Sequence, residues 1–260
     1  MRLKDRFNRL LAQKQILSGM VRKNLKDKYV GSHLGYFWAI INPLLLMIVV
    51  NFVFAHLMKT GINNFPFYIL SALLPFFFFV NSLTESTTSI ENNKCVLNQF
   101  IITREIIPIA VVVANFINFL FGFIIILPIF IIFNVGILSY LWLLPLVMLL
   151  HFVFTLGVAF LFSIGNVYCK DLSYLLNIAV MLLFWMTPIF YAAEMIPLRF
   201  RWIIWINPAS SFAVIYRSLL YSGSPGQMYF WGLAAVFSFI SISIGYYVFV
   251  NKETDILKYI

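Results

Sequence analysis

Charge is what this sequence has least of. Only 10% of its 260 residues are Asp, Glu, Lys or Arg, while 62% are apolar. Soluble domains run at about 25% charged and about 45–50% apolar. A soluble fold of this size has too little interior to hide the difference, and a disordered chain would be polar. Cysteine is scarce too. Cys95 and Cys169 lack CxxC or Cys/His metal spacing and read as two reduced thiols. No Gly-Lys dipeptide occurs, so there is no GxxxxGK phosphate loop, and the chain does not bind ATP by that route. None of the nine carboxylates falls mid-way along a long apolar run, and no paired Asp motif is available to hold Mg²⁺ on a diphosphate. These gaps argue against a membrane-embedded transferase, and against an ion-coupled carrier, which keeps an ionisable group at depth. A polytopic, all-α membrane protein remains.

The charge that is present is lopsided. Residues 1–28 carry nine Lys/Arg and two Asp, which supplies seven of the nine net positive charges. A basic arm beside a membrane fits anionic lipid or a docked cytoplasmic partner better than nucleic acid. Apolar residues recur in it at three-, four- and seven-residue spacings (Leu3, Phe7, Leu10/Leu11, Leu17, Val21, Leu25), the pattern of an amphipathic interface helix over 1–30. Long charge-free runs then locate six spans of roughly 20 residues. They fall at about 36–57, 66–84, 107–133, 141–164, 173–192 and 229–250. With the N-terminus inside, the inner segments hold 14 basic residues and the outer ones 4 (Lys59, Arg199, Arg201, Arg217), so both termini are expected in the cytoplasm.

Two connecting stretches look specialised. Residues 85–105 form the longest inner loop; Ser82, Thr84, Ser86, Thr87, Thr88 and Ser89 offer helix-start residues, and a short helix lying across that face fits. Within 193–228, Leu198–Ile206 and Ala209–Tyr221 are apolar but too short to cross. Pro197, Pro208 and Pro225 punctuate them, and they read as half-helices that dip in and return. Gly31 and Gly35 have the small-xxx-small spacing that permits close helix approach. Asn51, Asn115, Asn118, Asn177 and the lone mid-span His151 read as polar glue between helices.

Several short words in the sequence resemble type-2 ABC polysaccharide-export permeases, the family of O-antigen, capsule and teichoic-acid permeases. They are Gly31-Ser32 with Leu34–Leu45 (LGYFWAIINPLL), Ser71–Phe76 (SALLPF), Thr103–Pro108 (TREIIP), Asn166–Leu172 (NVYCKDL), Thr187–Tyr191 (TPIFY), Asn207-Pro208 and Tyr216-Arg217. They occur in the family's order over nearly the whole chain. Cys169 and Lys170 depart from the family's Phe and Arg, and Thr103 stands where Pro is common.

The resemblance implies an export permease in the cytoplasmic membrane, paired with a second copy and docked on two copies of a separate ATPase. No cofactor would sit on this chain, since ATP and Mg²⁺ would belong to the ATPase, and the chain itself would not be an enzyme. It further implies that Glu91, Asn92, Asn93, Lys94, Arg104 and Glu105 form the ATPase-coupling region. Arg22, Lys23, Lys26 and Lys28 would meet the diphosphate of a polyprenyl-linked glycan. Tyr36, Trp38, Phe76, Tyr191, Trp202, Asn207, Pro208, Tyr216 and Arg217 would line the channel and its outer gate.

Overall fold

A computed structural model describes residues 3–57, 61–99 and 102–253. Lys59, counted above as an outer charge, lies outside them, as does the side chain of Tyr36. Among the described residues every regular element is helical. The basic arm is two helices rather than one, α1 (Leu3–Ala12) and α2 (Lys14–Asp27), separated at Gln13, whose φ of −96° and ψ of 19° leave the helical region. Next come α3 (Trp38–Asn51), extended by a π-turn over Phe52–Leu57, then α4 (Phe65–Asn92), α5 (Lys94–Gln99) and α6 (Ile106–Phe133). A 3-10 stretch (Val135–Leu143) leads into α7 (Leu144–Tyr168). The chain finishes with α8 (Leu172–Met186), α9 (Trp202–Ile206), α10 (Pro208–Arg217) and α11 (Met228–Lys252).

Among the described residues, four helices are long and apolar enough to cross a membrane: Phe65–Asn92, Ile106–Phe133, Gly136–Tyr168 and Met228–Lys252. A fifth is added if Leu198–Ile206 and Pro208–Ser222, bent by 95° at their junction, count as one. The expected spans at 36–57 and 173–192 are instead the shorter apolar helices Ile40–Ala55 and Leu172–Met186. The second stops early for a local reason. A residue before proline is pushed out of the α region, and Thr187, ahead of Pro188, is extended at φ −84°, ψ 131°.

The expected 85–105 loop is also shorter than its sequence suggests. α4 runs on to Asn92, so residues 85–92 are its last two turns. The Ser/Thr run that reads as a helix start instead bonds back within α4. Thr84 donates to the Val80 carbonyl, Thr87 to Leu83 and Ser89 to Ser86. Such bonds satisfy the hydroxyls without ending the helix.

The main core joins α4, α6, α7, α10 and α11 through Phe78, Phe79, Phe119, Phe154, Phe212, Tyr216 and Ala234. α7 and α11 meet backbone to backbone. Gly157 and Gly245 face each other so closely that a Cβ on Gly245 would stand 2.0 Å from the Gly157 carbonyl oxygen. Ser238 and Ser241 donate across the same seam to the carbonyls of Leu150 (2.8 Å) and Phe154 (3.1 Å). This seam does what the sequence reading assigned to Gly31 and Gly35. Those two instead have positive φ (76° and 49°) in the turn before α3, with nothing near enough to touch an added Cβ.

Candidate functional site

At the end of the bundle that carries α1 and α2, apolar residues come first. Met20 and Val21 of α2 pack with Ile90, Leu97, Ile106, Ile107 and Ala110, so α2 lies along the foot of α6. Charges then lock the corner. Arg6 of α1 reaches Glu105 at 2.5 Å and also Glu253 beyond α11. Arg104 donates to the Glu253 carbonyl, and Tyr246 to Glu105 at 3.4 Å. Burial of the Glu105 carboxyl pushes its pKa above the ordinary value of 4.5, against the opposing pull of Arg6. Arg6 itself is raised, chiefly by its hydrogen bond to Glu253. Gln13 accepts from the Thr103 amide at 3.0 Å and closes the corner.

The six coupling candidates therefore separate. Arg104 and Glu105 are built into the corner, and Glu105 is fully buried. Asn93 is buried as the C-cap of α4; it donates to the Ser89 carbonyl (2.8 Å) and accepts from Lys23 (3.1 Å). Asn92 is exposed and bonds Thr88. Lys94 is exposed where α5 begins, and Glu91 pairs with Lys170 at 3.0 Å on the surface. The exposed patch is thus Glu91, Asn92 and Lys94 together with Lys170.

The four basic candidates also divide. Arg22 and Lys26, one turn apart on α2, are exposed and carry no ion pair among the described residues. Lys23 is tied to Asn93. Lys28 is tied to Glu85 at 2.8 Å and donates to Asn115 at 2.5 Å, while Asn115 donates to Glu85 at 2.8 Å. This triad, which the sequence pattern did not foretell, closes one side of a cavity of about 380 Å³ between the turn that follows α2 (Lys28, Tyr29), α3, α4 and α6. Trp38, Asn42, Phe77, Asn81 and Asn118 line it. Trp38 thus sits near the basic arm, its indole N–H donating to Ser32 at 3.0 Å.

The opposite end is assembled around Arg217 and Asn207. Asn207 caps α10 by accepting from the Ala209 amide (3.0 Å), and Pro208 supplies a first residue that needs no partner for its nitrogen. The Asn207 side-chain amide donates to Thr187 at 3.0 Å, which ties the α9–α10 bend to the end of α8. Arg217, 8% exposed, donates to the carbonyls of Pro188 (2.6 Å) and Ile189 (3.0 Å) and lies 3.7 Å over the Tyr68 ring. The Tyr68 hydroxyl in turn donates to the Tyr191 carbonyl at 2.9 Å. Phe76 is buried 5.6 Å from Phe184. Of the expected gate residues, Tyr191, Asn207, Pro208, Arg217 and Phe76 converge here, while Trp202 is exposed and Tyr216 is fully buried in the main core.

Mid-bundle, His151 is not hydrogen-bonded glue. Its ring stacks on Phe212 at 4.4 Å and meets Phe78 edge-on at 5.1 Å, and its buried Nδ1 finds no hydrogen-bond partner among the described residues.

Several apolar helices around one core, a basic amphipathic pair packed against their foot and a sharply bent helix pair at the far end define a multi-pass helical membrane protein. The chain belongs to the ABC-2 type transporter family, whose model matches residues 15–221. It is 33% identical over 215 residues to an O-antigen export system permease protein RfbA of Klebsiella pneumoniae, covering 82% of this chain and 83% of that one. A second RfbA protein from Klebsiella pneumoniae is 32% identical over 245 residues, 94% of this chain and 92% of the relative. The polysialic acid transport protein KpsM of Escherichia coli is 22% identical over 254 residues, 94% and 96% of the two chains.

Proposed function

We propose that this chain is the permease subunit of an ABC transporter that exports a lipid-linked polysaccharide of O-antigen type across the cytoplasmic membrane. The observation that carries this reading is the similarity to O-antigen export permeases over nearly the full length of both chains. A capsule or teichoic-acid exporter of the same family is the second reading, and the similarity to a polysialic acid transporter favours the capsule version. The chain pairs with a second copy, and two copies of a separate ATPase supply ATP and Mg²⁺.

Six crossings, with both termini in the cytoplasm, fit the helix lengths once neighbouring segments are included. α3 and its π-turn make 20 helical residues, about 30 Å at 1.5 Å per residue, which matches a hydrocarbon core of about 30 Å. α8 alone is short at 15 residues, about 22 Å. The chain beyond it is irregular, and irregular backbone is tolerated at membrane depth only under protein cover. Ile189 and Phe190 have that cover, packed with Phe65, Ile69 and Ala213. α9 and α10 then dip and return as an outer gate, held shut by Arg217 on the end of α8.

α5, with Glu91, Asn92 and Lys94 beside it, docks in a cleft of the ATPase. α1 and α2 lie on the inner membrane surface, where Arg22 and Lys26 attract a lipid diphosphate. The decisive experiment pairs the purified chain with the ATPase encoded beside it. The complex should hydrolyse ATP and export glycan from vesicles, and the chain alone should hydrolyse none. Hydrolysis by the chain alone would refute the assignment.

A further inference from the structure

The cavity between the turn that follows α2, α3, α4 and α6 has a chemistry that the docking and gating roles leave unused. Asn42 and Asn81 are exposed on its wall, and neither side chain makes a hydrogen bond among the described residues. Asn118 accepts from the Tyr29 hydroxyl at 3.2 Å, which leaves its amide N–H groups facing the same space. Asn81 lies one turn further into α4 than Glu85, and Asn118 one turn beyond Asn115 on α6, so both stand on the membrane side of the Lys28–Glu85–Asn115 group. Amides left unpaired there are costly unless a polar occupant or water meets them.

The rest of the wall narrows the occupant. Lys28 and Glu85 neutralise each other at 2.8 Å, and Asn115 bridges them, so the cavity carries amides and no uncompensated charge. That is a poor site for an anion and a good one for a neutral polyol. The Trp38 indole is held in place by its bond to Ser32, and neither it nor the Phe77 ring is paired with another ring among the described residues. Their faces are open to the apolar C–H side of a pyranose. At about 380 Å³ the space is at the small end of ligand-binding cavities.

We propose that this cavity, formed within a single copy of the chain, is a binding site for one sugar ring. The ring lies against Trp38 and Phe77, and its hydroxyls pair with Asn42, Asn81 and Asn118. Under the polysaccharide-export reading, on which this clause rests, the ring belongs to the glycan before it enters the transport path. A resident membrane glycolipid presents the same chemistry.

The test uses the full chain in phosphatidylethanolamine and phosphatidylglycerol vesicles, with an octyl glucoside bearing a photoreactive diazirine on its sugar. Crosslinks should map to the peptides around Trp38–Asn42 and Phe77–Asn81. Unlabelled octyl glucoside should compete, and octyl phosphocholine, with the same tail and no sugar, should not. N81L should weaken labelling about tenfold, the effect of one or two lost hydrogen bonds. N177L, which removes an exposed amide on α8, should leave it unchanged. Labelling spread over lipid-facing peptides, or equal competition by the phosphocholine, overturns the site on the unaltered chain, whether or not a variant folds. Export by the N81L complex separates the two sources: slowed export assigns the ring to the cargo, and unchanged export with lost labelling assigns it to a glycolipid. Failure of the intact complex to export any glycan would overturn the transport reading and leave the labelling result standing.

Discussion

The α7–α11 seam makes a sharp demand on Gly245. Adding one methyl group there places a Cβ 2.0 Å from the Gly157 carbonyl oxygen and 2.8 Å from its carbonyl carbon. Real Cβ atoms do not approach heavy atoms closer than 3.0 Å. Both surfaces are backbone, so no rotamer change relieves the clash, and the helices must part by about 1 Å. Overpacking of this kind costs about 1–3 kcal/mol. Parting also stretches the Ser238 and Ser241 bonds across the seam, each worth about 0.6 kcal/mol between membrane helices. Together G245A should cost about 3 kcal/mol. At about 2–4 °C per kcal/mol for a chain of this size, the melting temperature should fall by about 6–12 °C. The assay is thermal unfolding in detergent, followed by the surviving monodisperse peak in size-exclusion chromatography. G232A is the control on the same helix, since nothing lies within 4 Å of a Cβ at Gly232. A G245A protein that melts within 2 °C of G232A would refute the close seam.

Other sites give predictions with different readouts. Because burial raises the Glu105 pKa, the folded state holds that proton more tightly than the unfolded chain does. The associated stability is present below the ordinary carboxylate value and is lost as pH rises through the raised one. Wild type should therefore lose stability relative to E105Q as pH rises above 4.5, read as melting temperature against pH; a constant difference would refute this. E91A breaks an exposed pair with Lys170 and should change stability by less than about 1 kcal/mol. In the complex with the ATPase it should still uncouple hydrolysis from export, and normal coupling would place the contact elsewhere. R217A removes two charge-assisted bonds to the Pro188 and Ile189 carbonyls, at about 2–3 kcal/mol. It should speed proteolysis within 193–206, with R217K intermediate because a lysine ammonium can still donate to the carbonyls but loses the planar guanidinium over the Tyr68 ring; unchanged cleavage would show that the bend is held by other contacts.

Period and charge made much of this fold readable in advance. Long apolar runs bounded by charge correspond to α4, α6, α7 and α11, and Asn207-Pro208 correctly marks the bend. What the pattern missed depended on partners far along the chain. Ser82 to Ser89 reads as a helix start because Ser and Thr favour caps, yet the hydroxyls of Thr84, Thr87 and Ser89 bond back inside α4. Gly31 and Gly35 have the right spacing for a helix contact, but the contact is made by Gly157 and Gly245, 88 residues apart, a pairing that spacing does not reveal. The six coupling candidates share one inner loop on paper. Only part of that group is exposed, because Glu105 meets a residue 99 positions earlier, at Arg6.

The same distinction explains how so few charges are used. The ion pairs among the described residues (Arg6 with Glu105 and Glu253, Lys28 with Glu85, Lys170 with Glu91) all lie toward the end that bears α1 and α2. There they tie α1, α2 and the α7–α8 turn to the ends of α4, α6 and α11. α2 is held to α4 at two points, Lys28 on Glu85 and Lys23 on Asn93, eight residues apart along one helix, or about 12 Å. α5 follows Asn93 directly. A force applied to α5 therefore reaches α2 through Asn93 and the cavity wall through the rigid last turns of α4. At the other end Arg217 makes no ion pair among the described residues and is held by carbonyls and a ring, contacts that a small shift of α8 can break singly. Under the proposed function, a base locked by ion pairs would transmit displacement from the ATPase side, and a far end held by Arg217 on carbonyls and a ring would yield to it.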